Sequence, residues 1–507
     1  MLNKKFDEKL RKEASLILKQ KKSLTENITK LDKSFLIHQI DNLTVDLSRN
    51  FVNKNILSYL YKAAYDLNLK SKIKKLFLNK HRSISENKLV SFIYNRHDKK
   101  NYENKISEMY LLHDGIKSGE IVSCSNEKFK HIVHIGIGGS ILGSKALSHA
   151  LASYSDHVLD IHYVSSADSS EINYVLGKCD ISRTLFIFMS KSFQTREVLL
   201  NYEYIKNKLQ KLNYGNKIYK NFFAVTANVS NALKYKIPKN NIITFSKNIP
   251  GRFSITSSIS FTLLLEVGKK NYRQFINGVL KIDSHFKNKK IEKNIPILLG
   301  LLSVWNVNYL NITTHCVNAY AYKLRSLSDY IQQIEMESNG KSVNNNNHKV
   351  SYNTAPFLFG QEGTECQHSF FQMVHQGSLK MSADFIGIIN SNNSESSNFL
   401  LANLIAQSNL LYSGKENNHS NMNINGNCPS NIILLDSITP YALGMLMTIY
   451  DHKVITEGLL WNINSFDQWG VEEGKKSSSN IQKKIINKSK LNKDDIIIKL
   501  IKKKIKK

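Results

Sequence analysis

The sequence predicts an α/β protein with two regions of mainly parallel sheet, and three observations carry that prediction. From residue 131 onward, short apolar runs alternate with helical stretches, the pattern of a parallel sheet covered on both faces. A second region of the same kind begins after about residue 270. The chain has 507 residues, 41% of them hydrophobic and 10% aromatic, which allows two or three domains with substantial cores and excludes general disorder.

The elements follow in order. Residues 1–115 read as helical, with turn-like breaks and no β-alternation, and the N-terminus reads as an amphipathic surface helix without the apolar core of a secretory signal. Strands are expected at 131–135, 161–164, 184–188 and 221–225, each an apolar run bounded by turn or helix signals. In the second region 295–309, 320–336 and 398–412 read as helices and 432–435 as a strand. Polar runs at 344–347, 391–397 and 415–427 read as surface loops.

Composition excludes several functions. No apolar stretch reaches the roughly 18 residues that a membrane-spanning helix needs. The five cysteines, Cys124, Cys179, Cys316, Cys366 and Cys428, lack metal or redox spacing and read as free thiols in a reducing cytoplasm. His131 and His134 fall on opposite faces of one strand, which argues against a zinc site between them. A net charge of +29 raises the possibility of a nucleic-acid binder. Lysine far exceeds arginine, however, and no zinc-finger spacing, RNA-binding aromatic motif or recognition helix accompanies the charge. Residues 476–507 concentrate it, with twelve lysines against two aspartates. Behind Asp494 and Asp495, the residues Ile497, Ile501 and Ile505 fall at helical spacing with Ile496 and Leu500. This is the pattern of a terminal helix packed on the body; a tail attracting polyanions or acidic membrane is the alternative.

Three segments carry chemistry. Gln332-Gln333-Ile334-Glu335-Met336-Glu337-Ser338-Asn339-Gly340-Lys341 places Glu337 where a helix meets a breaker run. The negative end of a helix disfavours an ionised carboxylate, and a carboxyl raised towards neutrality suits a general base on a carbon acid. Gly136-Ile137-Gly138-Gly139-Ser140-Ile141-Leu142-Gly143 approximates a dinucleotide fingerprint but has Ile141 at the third glycine; its strand-to-helix turn still favours an anion. Ser190-Lys191-Ser192-Phe193-Gln194-Thr195, after another strand, offers three hydroxyls and an ammonium to one phosphate, or else simply caps a helix. Two such loops in one βα series favour a phosphorylated small molecule.

These residues resemble the glucose-6-phosphate isomerase family. Besides the two loops and the base-bearing segment, similar blocks are Pro250-Gly251-Arg252-Phe253-Ser254, Gly360-Gln361-Glu362-Gly363-Thr364-Glu365-Cys366-Gln367-His368 and the run from Asn464 through Trp469 to Lys475. Six blocks occur in family order over roughly residues 130–475. The chain departs from the family at Ile141, where aspartate is common, at Ser192 for threonine, at Glu457 for a frequent glutamine near the phosphate, and at Cys428 for arginine.

The resemblance implies two αβα-sandwich sugar-isomerase (SIS-like) domains with mainly parallel sheets, plus helical N- and C-terminal segments. On this reading 1–115 belongs to the larger domain, 116–270 is the smaller sugar-phosphate-binding domain, 271–480 the larger one and 481–507 a basic tail. It implies reversible isomerisation of glucose 6-phosphate and fructose 6-phosphate through an enediol, in glycolysis and gluconeogenesis, with no cofactor or metal chemically required. Glu337 would move the proton between C2 and C1, His368 would assist ring opening with Lys475, and Arg252 would stabilise the enediolate. Ser190, Lys191, Ser192 and Thr195 would hold the phosphate, with Gly139, Ser140 and Gln333 completing the pocket. Glu457 would oppose the phosphate unless a lysine neutralised it, so Glu457→Gln is expected to lower KM. A cytoplasmic homodimer in which His368 serves the partner's site completes the expectation. A sugar-phosphate-binding module that has lost turnover remains a second reading, which an isomerisation assay separates.

Overall fold

Residues 37–49 depart first from the helical reading. Ile37–Ile40 (β1) and Leu43–Arg49 (β2) form an antiparallel hairpin around Asp41, whose φ of 48° is left-handed. Along β2, Leu43, Val45 and Leu47 are buried and Thr44, Asp46 and Ser48 half-buried, the period of a strand with one face on a core. Arg82–Ser83 (β3) and Lys88–Leu89 (β4) add a short ribbon. Helices fill much of what else is described before residue 118, from Lys4–Lys19 to Lys99–Ser118. The computed structural model describes residues 4–19, 34–390, 394–486 and 495–505.

The expected strands of the first region all form. His131–Ile135 (β5), Asp160–Val164 (β6), Thr184–Met189 (β7) and Phe222–Thr226 (β8) are joined by Ile242–Thr244 (β9) in a parallel sheet ordered β6-β5-β7-β8-β9. Every residue of β5, β7 and β8 is buried, which is why their sequences run apolar without alternation. Phe188 and Tyr202 meet at 5.2 Å and Tyr202 and Phe222 at 5.3 Å, both edge-to-face. Such pairs add about 0.5–1.5 kcal/mol each beyond burial. They seat the helix Arg196–Gln210 on the sheet, and so fix the loop that precedes it.

The second sheet is mixed. Thr314–Ala319 (β10), Phe357–Glu362 (β11), Ser382–Ile388 (β12) and Ser430–Leu435 (β13) pair in parallel, and β2 joins β13 antiparallel, giving β1-β2-β13-β12-β10-β11. The helix Pro440–Leu460 is buried along almost its whole length against Phe261–Asn288, Ile295–Asn308 and Leu327–Asn339. Its polar residues are buried with it, so each needs a partner. His452 bonds Asp283, Asp451 accepts from Tyr330, and Lys453 lies between Glu335 and Glu457.

Three boundaries shift. The helix expected at 320–336 is Leu327–Asn339, preceded by a short 3₁₀ turn at Tyr322–Leu324, so Ser338 and Asn339 continue it and only Gly340 ends it. Of the expected loop 391–397, residues 391–393 lie outside the described set; Ser394 caps the helix Glu395–Ser413 through its bond from Ser397 N. Residues 466–507 form a compact unit distinct from 1–465. In it Ile496–Ile505 packs on Trp469–Ile486. Ile498 is buried, whereas Ile496, Ile497, Leu500 and Ile505 of the expected apolar stripe are exposed. Asp494 lies outside the described residues. Among the described residues no helix is long and apolar enough to cross a membrane.

Candidate active site

The glycine turn after β5 is built for close approach. Gly138 sits at φ 55°, a conformation glycine adopts without steric cost. A Cβ on Gly139 would lie 2.4 Å from the carbonyl carbon and oxygen of Gly251, and one on Gly138 would lie 2.9 Å from Gln333 Nε2. The turn therefore lies directly against the Arg252 loop and the Gln333 helix. His134 supports it from the sheet: its Nε2 stands 2.7 Å from the Ser140 carbonyl oxygen and its Nδ1 3.0 Å from Thr262 Oγ1. A carbonyl only accepts, so Nε2 carries the proton. Burial pushes this imidazole down to about 4, so it is neutral.

The second loop follows β7. Ser190 and Thr195 hydroxyls are 2.8 Å apart, and Ser192 Oγ accepts from the Gln194 backbone N–H. Lys191 Nζ donates to the Ile249 carbonyl at 2.8 Å, next to the Arg252 loop, and burial is the chief cause that lowers its pKa. Thr195 precedes the 15-residue helix Arg196–Gln210 without capping it by side chain, which leaves the first helical N–H groups open to an anion.

Glu337 lies between two partners. Arg252 Nη1 is 3.3 Å from its Oε1, and Gln333 Nε2 donates to its Oε2 at 2.7 Å. The guanidinium is itself held, Nε donating to Ser338 Oγ at 2.6 Å and Nη2 to the Ser465 carbonyl at 2.7 Å. Such a buried, tethered cation keeps its direction. Lys341 Nζ donates to the carbonyls of Glu337 and Ser338, both at 2.8 Å, so the helix end is not the unopposed negative pole that the sequence suggested. Gln333 Oε1 is buried without a partner among the described residues, an acceptor available to a ligand hydroxyl.

Thus the structure brings together Gly139, Ser140, Arg252, Gln333 and Glu337, with Lys191 reaching the segment that carries Arg252. His368 ends the short helix Gly363–Gln367 and is exposed. No hydrogen bond, ion pair or ring contact joins it to Glu337 or Arg252 among the described residues. Lys475 belongs to the C-terminal unit, where it pairs with Glu472 at 3.0 Å.

Glu457 requires a correction. It is fully buried, 2.7 Å from Lys453 Nζ, and accepts from Asn339 Nδ2 at 3.2 Å, so it has no surface for a phosphate. A lysine does stand beside it, Lys453, four residues earlier on the same helix and shared with Glu335. Ile141 is buried beside the helix Leu142–Leu151, and Cys428 lies in an apolar cluster with Met381 and Ile432, where no charge is called for. Sequence reasoning missed His134, Ser338 and Ser465, which hold the turn and the guanidinium. Only Ser338 carried a signal, being adjacent to Glu337.

The family profile described as Phosphoglucose isomerase matches residues 46–499. A glucose-6-phosphate isomerase of Buchnera aphidicola subsp. Cinara cedri is 37% identical over 500 residues, covering 91% of each chain. One from Acinetobacter baumannii strain SDF is 34% identical over 472 residues, covering 86% of this chain and 85% of that one. The crystal structure of a glucose-6-phosphate isomerase from Chlamydia trachomatis D/UW-3/Cx superposes with a TM-score of 0.82 at 29% identity, over 94% of this chain and 95% of that one.

Proposed function

The chain belongs to the phosphoglucose isomerase family, and on that premise we propose how its residues interconvert glucose 6-phosphate and fructose 6-phosphate. The observation that carries the reading is the Glu337 carboxylate held between a buried guanidinium and an amide, against a glycine turn. The phosphate sits on Ser190, Lys191, Ser192 and Thr195 at the start of the helix Arg196–Gln210. Binding that remote group places C1 and C2 of the opened sugar over Glu337. The carboxylate takes the proton from C2 and the C1 carbonyl oxygen becomes the negative end of an enediolate; the O2 hydroxyl proton then passes to O1 and the carboxyl returns its proton to C1, leaving the carbonyl at C2. Arg252 supplies fixed positive charge as the oxyanion forms, with no reorganisation at that moment. Gly139 and Ser140 close the turn over the sugar, and Gln333 offers its free carbonyl oxygen to a hydroxyl.

Ring opening falls to His368. Among the described residues His368 is exposed and makes no contact with Glu337 or Arg252, which fits a homodimer in which it reaches the partner's sugar. The free cysteines fit a reducing compartment, the cytoplasm. The test is conversion of fructose 6-phosphate to glucose 6-phosphate by purified protein in a chelator. Glu337→Gln should fold and bind the sugar phosphate but lose about 10²–10⁴ in kcat. Turnover at the wild-type rate in that variant refutes Glu337 as the base.

A further inference from the structure

The sheet edge opposite the phosphate loops gathers a second set of reactive side chains. In the five-stranded sheet the glycine turn and the Ser190 loop leave the C-terminal ends of β5 and β7. His131 opens β5, and Asp160 opens β6 directly beside it. His162 lies two residues further along β6, on the same face as His131 because side chains alternate along a strand. Cys179 comes from the turn between the helix Ser169–Leu176 and β7. His134 points away from this group, as the sequence indicates; the second imidazole comes from the neighbouring strand. One ligand atom from each of His131, His162 and Cys179 lies within 4.8 Å of the others.

We propose that His131, His162 and Cys179 form a binding site for Zn²⁺, which the exposed Asp160 side chain, beside His131 but outside the three-residue cluster, turns in to complete. Two observations beyond the clustering support it. Among the described residues His131 Nδ1 and His162 Nε2 are both buried without a hydrogen-bond partner, and a buried polar atom left so costs about 1–3 kcal/mol unless something satisfies it. Asp160 Oδ2 stands 3.3 Å from His131 Nδ1 without hydrogen-bond alignment. Two ligands each about 2.0–2.1 Å from a tetrahedral ion are themselves about 3.3 Å apart. That contact is a poor hydrogen bond and a good ligand spacing.

The donor set suits zinc. Imidazole, thiolate and carboxylate are its ordinary ligands, and a hard ion such as Mg²⁺ would not choose the sulfur. Burial, above all, lowers the pKa of both imidazoles, which keeps their lone pairs free. Burial also pushes the Cys179 thiol up to about 11, so coordination must displace its proton: Cys–SH and Zn²⁺ give Cys–S⁻–Zn²⁺ and H⁺. Contraction of the three-residue cluster by about 1 Å brings His131, His162 and Cys179 to coordination distance. The Asp160 side chain, 59% exposed, marks the entry from solvent. An ion here would tie β5, β6 and the turn before β7 together at the edge away from the reaction, adding stability without touching turnover.

The experiment uses the full chain, stripped with a chelator and then titrated with Zn²⁺ against a chromophoric competitor. The expected result is one tight equivalent per chain and an unfolding midpoint raised by Zn²⁺ but not by Mg²⁺. Cys179→Ala and His162→Gln should each weaken binding by more than the roughly 10–100-fold that loss of an outer-shell partner costs, with kcat and KM unchanged. Co²⁺ in place of Zn²⁺ should give a thiolate charge-transfer band that Cys179→Ala abolishes. Should a buried substitution fail to fold, Asp160→Asn, at an exposed side chain, must still weaken Zn²⁺. A wild type with no tight equivalent, or an equivalent that survives in the Cys179→Ala/His162→Gln double variant, overturns the proposal.

Discussion

Replacing Glu457 by glutamine tests the buried charges on and against the helix that carries Glu337. Glu335, Lys453 and Glu457 are all buried, with Lys453 Nζ 2.8 Å from Glu335 Oε2 and 2.7 Å from Glu457 Oε1. One ammonium cannot neutralise two buried carboxylates. Burial, then the charge of Glu335, holds Glu457 well above the usual carboxylate range. Burial also opposes the charge on Glu335, but Lys453 overcomes it and holds that group low. The fold thus contains a Glu335–Lys453 ion pair and a neutral Glu457 acid, which a glutamine imitates in shape and charge. The exchange should cost about 1 kcal/mol or less near pH 5, the worth of one neutral hydrogen bond.

The sign with pH follows from the raised value. Above the ordinary 4.5, the folded chain keeps a proton on Glu457 that the unfolded chain releases. Wild-type stability therefore falls as pH rises through that window, by at most about 1.4 kcal/mol per unit, and the glutamine variant lacks this loss. Denaturant unfolding followed by tryptophan fluorescence from pH 5 to 8 should show Glu457→Gln gaining on the wild type as pH rises. Because Glu457 touches no substrate, KM should stay unchanged rather than fall. Glu335→Gln should be mild as well, since Glu457 can then ionise against Lys453. The double variant leaves that ammonium uncompensated and should lose about 3–5 kcal/mol, far beyond the sum of the singles. A Glu457→Gln variant that becomes relatively less stable at higher pH would show that Glu457 is ionised in the fold and refute this assignment.

Two further outcomes bear on the site. Gly139→Ala must push the glycine turn off the Gly251 backbone, 2.4 Å from the new Cβ; displacing the Arg252 loop by about 1 Å should cost about 10²-fold in kcat/KM, and undiminished activity would show that the two loops move together. Glu337→Gln and His368→Asn, each inactive alone, should recover roughly a quarter of wild-type activity when co-refolded, because about half of randomly paired dimers hold one intact shared site. A mixture that stays inactive while dimers exchange assigns His368 to its own chain.

Local chemistry was legible in the chain. The strand at 184–189, buried on both faces, announces itself as an apolar run, and the Ser190 loop follows where it ends. Glu337 stood out beside the run Ser338-Asn339-Gly340, although the helix continues through Asn339 and only Gly340 ends it. The hairpin over 37–49 was legible too, in the alternation of Leu43, Val45 and Leu47, but it was read as part of a helical segment. β10 and β11 were not, because Thr314–Ala319 and Phe357–Glu362 mix polar and apolar residues and take their strand form from their neighbours in the sheet.

Sequence by itself determined the family, which rests on short runs whose order survives in one dimension. Tertiary structure alone decided which groups face one another. Arg252 meets Glu337 across 85 positions and Ser465 across 213, distances over which no spacing rule acts. It also decided that Glu457, four residues from Lys453 on a helix buried by three others, is a neutral core acid and not a contact for phosphate. His131 lost a partner three residues away, because a strand alternates its faces, and gained one on the next strand, because parallel pairing aligns them. Burial sets the charge of such groups, and burial is a property of the packed sheet and helices rather than of any segment.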